Sequence, residues 1–252
     1  FGSDAFLNDQ FNLSKNYKLK TPIPAATLVD LAFQTQSLVS APGAKFQYSN
    51  TGFLILGRVI EKVSGKPYET YIRSAVLAPA GISPAEAFIA HGRNQREGET
   101  HYWDLMGRTG VSLYPEDQKA RVPITNGAIA TDSTDAPGGW AMSVQALIRF
   151  QRALPTLLSP EMQQQVTAPP PTARGKTSYT GLGFSVIAES LGGYTIHHGG
   201  SLEGCNAGIM YRANGQMIAV TSNTGGPPND NVWSSNYING TLCSILIQIG
   251  SR

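Results

Sequence analysis

Residues 42–77 read PGAKFQYSNTGFLILGRVIEKVSGKPYETYIRSAVL, and this stretch decides the fold. From Thr51 to Val63, the residues Phe53, Leu56, Ile60 and Val63 recur at three- and four-residue steps, which predicts a helix with one apolar face. Gly65 supplies the stop, because glycine adopts the left-handed conformation that ends a helix without a steric cost. A second helix is expected from Pro67 to Leu77, with Pro67 in its first turn and Tyr68, Tyr71, Ile72 and Ala75 on one face.

Working outward, Ser143 is a cap for a third helix containing Leu147, Ile148 and Phe150, with Pro155 as its end. Ser159-Pro160 opens a short fourth helix. The prolines of Pro169–Ala173 (PPPTA) lack backbone donors, so regular structure breaks there. Beyond them Gly183–Ala188 and Tyr194–His198 are short and rich in β-formers. Gly208–Arg212 and Gln216–Ser222 flank Asn214-Gly215, a two-residue hairpin signal. Asn231–Ile249 reads as a closing helix. Helices followed by an antiparallel sheet predict an α+β architecture: a mainly helical lobe over residues 1–167 and a lobe of sheet plus terminal helix over 168–252.

Composition bounds the function. Apolar residues are 41% and charged residues 14% of the 252, a globular balance with length enough for a sizeable core. The net charge of +2 is close to neutral, and Lys15, Lys18 and Lys20 form the only cationic run, so the basic face that nucleic-acid binding needs is missing. No apolar stretch reaches the roughly 20 residues that span a bilayer. Phe1-Gly2-Ser3-Asp4 has no signal-peptide character. No CxxC, HExxH or paired Cys/His spacing offers a metal site, and no cofactor is expected. Cys205 and Cys243 permit one disulfide without implying it.

Three segments carry chemistry when taken together: Tyr48-Ser49-Asn50 before the first strong helix, Gly138-Gly139-Trp140 before Ser143, and His197-His198-Gly199-Gly200-Ser201 at a strand end. The first, with its helix and the following LAPAGI, resembles the Tyr-x-Asn region of the class C β-lactamase and penicillin-binding-protein family, which includes DD-peptidases, D-aminopeptidases and esterases. GGWAMSVQALIRF resembles that family's Gly-Gly segment and next helix. HHGGSLEGCNAGIMYRANGQMIAVTSN resembles the strand bearing its Lys-Thr-Gly or His-x-Gly motif and the hairpin after it. The likeness runs from about Pro42 to Asn223 and is poor between Ser83 and Ala136.

The resemblance implies a β-lactamase/transpeptidase-like fold and a role for each matching residue. Tyr48 is the base partner of a serine nucleophile. A phenol with pKa near 10 serves as base only where cations stabilise its phenolate or a lysine shares its proton. Asn50 hydrogen-bonds the substrate amide or ester. His198 donates to substrate or to Tyr48, Gly199 and Gly200 let the backbone approach the acyl group, and Ser201 gives its N–H to the oxyanion. The residue-level alternatives are an ordinary half-buried aromatic at Tyr48, a turn residue or helix cap at Asn50 and a structural histidine at His198. His197 points to the opposite strand face and has no role. Histidine in place of lysine departs from true β-lactamases by removing a permanent cation, and within the family it goes with D-amino-acid peptides and esters. The same resemblance places the protein in the periplasm or outside the cell.

Ser-x-x-Lys, the family's nucleophile motif, is absent. The residues three before Lys15, Lys18, Lys20, Lys45, Lys62, Lys66, Lys119 and Lys176 are Asn12, Lys15, Tyr17, Pro42, Val59, Val63, Glu116 and Ala173. Two explanations stand: a longer polypeptide that carries the motif upstream, together with N-terminal strands and the nucleophile helix, or a family member without a nucleophile. Phe1–Phe6 resembles sequence that follows the family's His-Thr-Ser-Gly turn, which favours the first. The functional expectation is a serine-dependent acyl hydrolase inactive without that upstream segment; the alternative is a non-catalytic binding protein retaining the cleft. A Ser-His hydrolase using Ser49 or Ser201 is disfavoured, since neither lies in a Gly-x-Ser-x-Gly elbow. The segment His91–Val122, with Trp103 and Tyr114, is expected as a wall of the cleft.

Overall fold

A computed structural model describes residue 7 and residues 9–225, and these form two compact units. One unit takes the chain up to Val76, then Pro84–His101 and Gly107–Ala141; the other takes Leu77–Ser83, Tyr102–Met106 and the described chain from Met142 onward. The architecture is α+β, with helices and an antiparallel sheet.

In the first unit, α1 (Gln10–Tyr17), α2 (Ala25–Thr35) and α3 (Asn50–Ser64) carry the main core, where Leu7, Ile23, Leu28, Val29 and Leu54 are buried together. Gln10 is buried with them, and its Oε1 accepts the Ile23 N–H at 3.0 Å, so its burial leaves that acceptor satisfied. Both ends of α3 are as the sequence requires. Ser49 Oγ accepts the Gly52 N–H at 2.9 Å, and Gly65, at φ 68°, donates its N–H to Glu61 O. Losing such an N-cap typically costs ~1 kcal/mol.

The inward face of α3 is Thr51, Leu54 and Gly57, whereas Phe53, Leu56 and Val63 are 41%, 53% and 82% exposed. The helix is apolar on two faces, so periodicity alone does not say which one packs. Close approach decides it: a Cβ on Gly57 would stand 2.7 Å from the Ala136 Cβ on α5 (Asp135–Gly138), so the small-residue face turns inward. The expected second helix begins after Pro67 as α4 (Tyr68–Ile72) but widens to a π-helical turn over Arg73–Leu77. The first unit also holds β1 (Ala87–Ile89) beside β5 (Trp140–Met142), and an antiparallel β3 (Thr109–Val111) and β4 (Arg121–Pro123).

The second unit contains β2 (Trp103–Asp104), α6 (Val144–Leu157), α7 (Pro160–Thr167), β6 (Ser178–Thr180), β7 (Ser185–Ala188), β8 (Tyr194–Leu202), β9 (Cys205–Tyr211), β10 (Met217–Ser222) and β11 (Thr224–Gly225). Ser143 and Ser159 cap α6 and α7 through Oγ, as expected. Pro155 does not end α6, which continues to Leu157. Proline's fixed φ fits a helix, and here it removes one donor near the end rather than breaking the run. After α7 the proline run yields only a 3₁₀ turn at Pro171–Ala173.

The five-stranded sheet has the order β10-β9-β8-β7-β6. The β9–β10 hairpin differs in type from the two-residue turn expected at Asn214-Gly215. Arg212 N–H reaches Gln216 O, Gly215 N–H reaches Arg212 O, and only Gly215 has positive φ (84°). That makes a three-residue loop ending in a left-handed glycine, where a two-residue type I′ turn would need Asn214 left-handed as well. The expected helix at Asn231–Ile249 lies outside the described residues.

Candidate active site

The first unit presents Tyr48-Ser49-Asn50 at the start of α3. Capping directs the Ser49 hydroxyl into the helix end, which leaves its neighbours to face outward. Tyr48 is 53% exposed, and its phenol donates to Asn50 Oδ1 at 3.0 Å. The helix cap is Ser49, and Asn50 is the first residue of α3. A phenol and a carboxamide are thus held together at a surface.

Behind them the helix is anchored by charge. Arg58 contacts Asp135 Oδ2 at 2.6 Å and Glu61 at 2.9 Å, with both Arg58 and Asp135 side chains largely covered. The Gly-Gly segment belongs to this support. Gly139 admits no side chain, since a Cβ would lie 2.7 Å from Thr131 O, and Trp140 donates through Nε1 to Tyr68 Oη at 3.3 Å. Burial raises the Tyr68 pKa, so it stays a neutral phenol. Arg58 and Asp135 were not singled out from the sequence. The available signal was an arginine inside an apolar helix, a residue type seldom covered without a carboxylate.

Tyr114, expected on a cleft wall, is a core residue instead at 3% exposure. Its hydroxyl donates to Asp132 Oδ1 at 2.6 Å, and burial with that bond raises its pKa far above the ordinary phenol value. Trp103 is 60% exposed and belongs to the other unit.

In the second unit, His198, Gly199, Gly200 and Ser201 all lie on β8, which runs four residues past the expected end at His198. The pairing with β7 ends at His197↔Ser185, while β9 pairs with β8 through Leu202. Among the described strands, residues 198–202 therefore have a neighbour on one side only. Among the described strands the other side is an edge, the kind of place where an extended ligand can add as a further strand. Gly200 has no neighbour within 4 Å of a hypothetical Cβ and no positive φ, so nothing in the fold itself requires glycine there.

Strand alternation puts His198 and Gly200 on one face and His197, Gly199 and Ser201 on the other. Burial lowers the pKa of His197, with the neighbouring His198 as a lesser cause. Surrounding protein lowers that of His198 too, by desolvating its charged form. Both are neutral imidazoles at pH 7, able to donate from one ring nitrogen and accept at the other. Among the described residues no cluster of three metal-ligating side chains occurs, and no helix is long and apolar enough to cross a membrane.

The Beta-lactamase family profile matches residues 5–237, and the chain belongs to that family. It is 26% identical over 170 residues to Penicillin-binding protein 4* of Bacillus subtilis (strain 168), an alignment covering 65% of this chain and 36% of that protein. Among solved structures, the penicillin binding protein from Bacillus halodurans has TM-score 0.68 at 18% identity, covering 94% of this chain and 68% of that one. The D-stereospecific amidohydrolase from Streptomyces sp. has TM-score 0.63 at 22% identity, covering 81% and 57%. These likenesses show the β-lactamase/transpeptidase-like fold, and this chain spans only part of the relatives it matches.

Proposed function

We propose that this chain is the C-terminal part of a serine-dependent acyl hydrolase, a peptidase or esterase acting through an acyl-enzyme on D-amino-acid peptides, esters or β-lactams. The observation that carries this reading is the edge of β8 at His198–Ser201, where among the described residues no atom lies within 4 Å of a Cβ built on Gly200. A D-amino acid amidase from Ochrobactrum anthropi SV3, with the same fold at TM-score 0.68, has been solved with L-phenylalanine amide, which supports an amide within the substrate class.

In this reading the nucleophile and its lysine come from residues preceding Phe1. Three facts support it: the absence of Ser-x-x-Lys, the greater length of the matched relatives, and the second apolar face of α3 standing in water. The serine Oγ attacks the acyl carbonyl while its proton passes to the lysine and Tyr48. Asn50 holds the substrate amide, and the Ser201 N–H, with a second N–H at the nucleophile, receives the oxyanion. One such donor is typically worth ~3–4 kcal/mol in the transition state. His198 donates to the substrate as a neutral group, which suits esters and peptides better than an antibiotic's carboxylate. The place of work is the periplasm or the cell exterior.

Gly200→Ala tests the reading. Replacing a strand glycine at an unstrained position should leave the full-length protein as stable or up to ~1 kcal/mol more so. The added methyl meets the ligand instead, and a clash of ~1–3 kcal/mol lowers kcat/KM roughly 5- to 150-fold. Ester turnover unchanged by this variant would remove β8 from the site.

Leu56→Lys tests the upstream segment. In the 252-residue chain the substitution falls on an exposed position and should change stability by no more than ~0.5 kcal/mol. In the full-length protein it should cost at least ~2 kcal/mol, because a covered lysine needs a partner. Equal effects in both, read by denaturant melts, would mean that nothing covers this stripe.

A further inference from the structure

Just after β1, His91 serves as an acceptor for its own chain. The N–H groups of Arg93 and Asn94 both donate to its Nδ1, at 3.1 and 3.0 Å. A ring nitrogen accepts only when it carries no hydrogen, so in this turn the imidazole is neutral with its proton on Nε2. The ring lies against the buried Tyr114, with centroids 4.8 Å apart and planes tilted by 37°. Between His91 and Arg93, the Gly92 carbonyl accepts the Gly127 N–H at 2.7 Å. The turn is thus pinned to the core at Gly92 and closed by a single ring nitrogen.

The charged groups that face this turn come from three elements. Arg93, in the turn itself, donates to Asp117 through Nε at 2.9 Å and Nη2 at 3.1 Å, and its Nη1 reaches Asn126 Oδ1 at 3.2 Å. Ser112 Oγ also donates to Asp117, at 2.7 Å. Arg93 first, then Ser112, hold the Asp117 carboxyl below the ordinary carboxylate range. A depressed carboxylate keeps its stabilising effect until pH falls through its folded value, so this ion pair persists where an imidazole titrates. Glu116 adjoins Asp117 on the 3₁₀ turn Pro115–Asp117, and Asp132 meets the stack from behind, accepting the Tyr114 hydroxyl at 2.6 Å. Beyond Asn94 the chain closes on itself: Arg96 N–H donates to Glu99 Oε2 at 3.0 Å, and Gln95 Nε2 to Thr100 O at 3.1 Å. The turn at 91–94 is therefore the root of a loop over 95–101, after which the chain passes to the other unit.

We propose that His91 is a proton-operated latch: protonation at Nδ1 releases the Arg93 and Asn94 N–H groups and frees the root of this loop at mildly acidic pH. A proton on Nδ1 turns the acceptor into a third donor facing two others, and the closed turn offers it no other place. The latch is closed above the range in which imidazoles titrate and opens as pH falls through it. An imidazole in water has a pKa of about 6.5, and an opened turn that alone takes the proton gains roughly tenfold in weight between pH 7.5 and 5.5. The latch is independent of the acyl-hydrolase reading.

Hydrogen exchange of the Arg93 and Asn94 amides, followed by NMR on the full-length protein and corrected for the intrinsic pH dependence of exchange, reads the latch directly. Protection should fall roughly tenfold from pH 7.5 to 5.5. Gly52, whose N–H is held by the Ser49 hydroxyl, should change less than twofold. His91→Asn puts a carboxamide oxygen where Nδ1 stood, an acceptor that does not titrate; whatever level of protection it gives should differ less than twofold between the two pH values. His91→Ala should show the low value at both. Native protection that stays level across this range, a fall shared by Gly52, or a tenfold fall that survives in His91→Asn overturns the proposal.

Discussion

Tyr48→Phe in the full-length protein is expected to lower kcat by ~10²–10⁴-fold, the range for a lost acid–base group. The ring is half in water and its hydroxyl meets Asn50 Oδ1 at 3.0 Å on the surface, so thermal stability should move by less than ~0.5 kcal/mol. The pairing of a large kinetic loss with an unchanged melt separates a proton-transfer role from a structural one. Turnover of a p-nitrophenyl ester is the readout. A kcat within threefold of the native value would make Tyr48 a surface aromatic and remove the base partner from the mechanism.

The largest stability effect is expected far from that chemistry, at Gly92. A Cβ there would lie 1.9 Å from Ile129 O and 2.6 Å from Tyr114 Oη. The crowding is fixed by the fold around it: Gly127 N–H donates to Gly92 O at 2.7 Å, and Tyr114 is clamped by Asp132. Backbone on one side and a buried phenol on the other leave no room to yield. Gly92→Ala should therefore reach the upper end of overpacking costs, ~3 kcal/mol or more. At ~2–4 °C per kcal/mol for a domain of this size, that lowers the melting temperature by roughly 6–12 °C. Gly138→Ala, at a position with open space and no positive φ, is the matched control and should change little. A Gly92→Ala melt within a degree of native would show that the Tyr114 region relaxes freely.

Much of this architecture was legible in residue patterns because the signals are local. Ser49 and Gly65 bracket α3, Ser143 and Ser159 cap their helices, and β-formers after the proline run give the strands. What sequence hid depends on contacts. The inward face of α3 is set by Ala136 pressing on Gly57, a neighbour 79 positions away that no periodicity reveals. Pro155 stays helical because its donor was expendable near a helix end. The strand β8 outruns its β-forming residues through two glycines because register with β9 carries it to Leu202.

The candidate site divides the same way. Tyr48, Asn50 and His198–Ser201 stood out as motifs, since proton transfer and close backbone approach demand particular residue types. Support residues did not. Arg58 and Asp135 meet across 77 positions. Tyr114, read as part of a cleft wall, packs with Leu113 and Ala130 in a buried cluster and donates to Asp132.

The decisive measurement is intact and peptide mass spectrometry after incubation with a fluorophosphonate probe, on the 252-residue chain and on its full-length form. A stoichiometric adduct is expected on the full-length protein at a serine that precedes Phe1, with none on the chain alone. An adduct on any serine within these 252 residues, or a full-length protein that takes up no probe, would contradict a nucleophile delivered from outside this chain to the groups it holds.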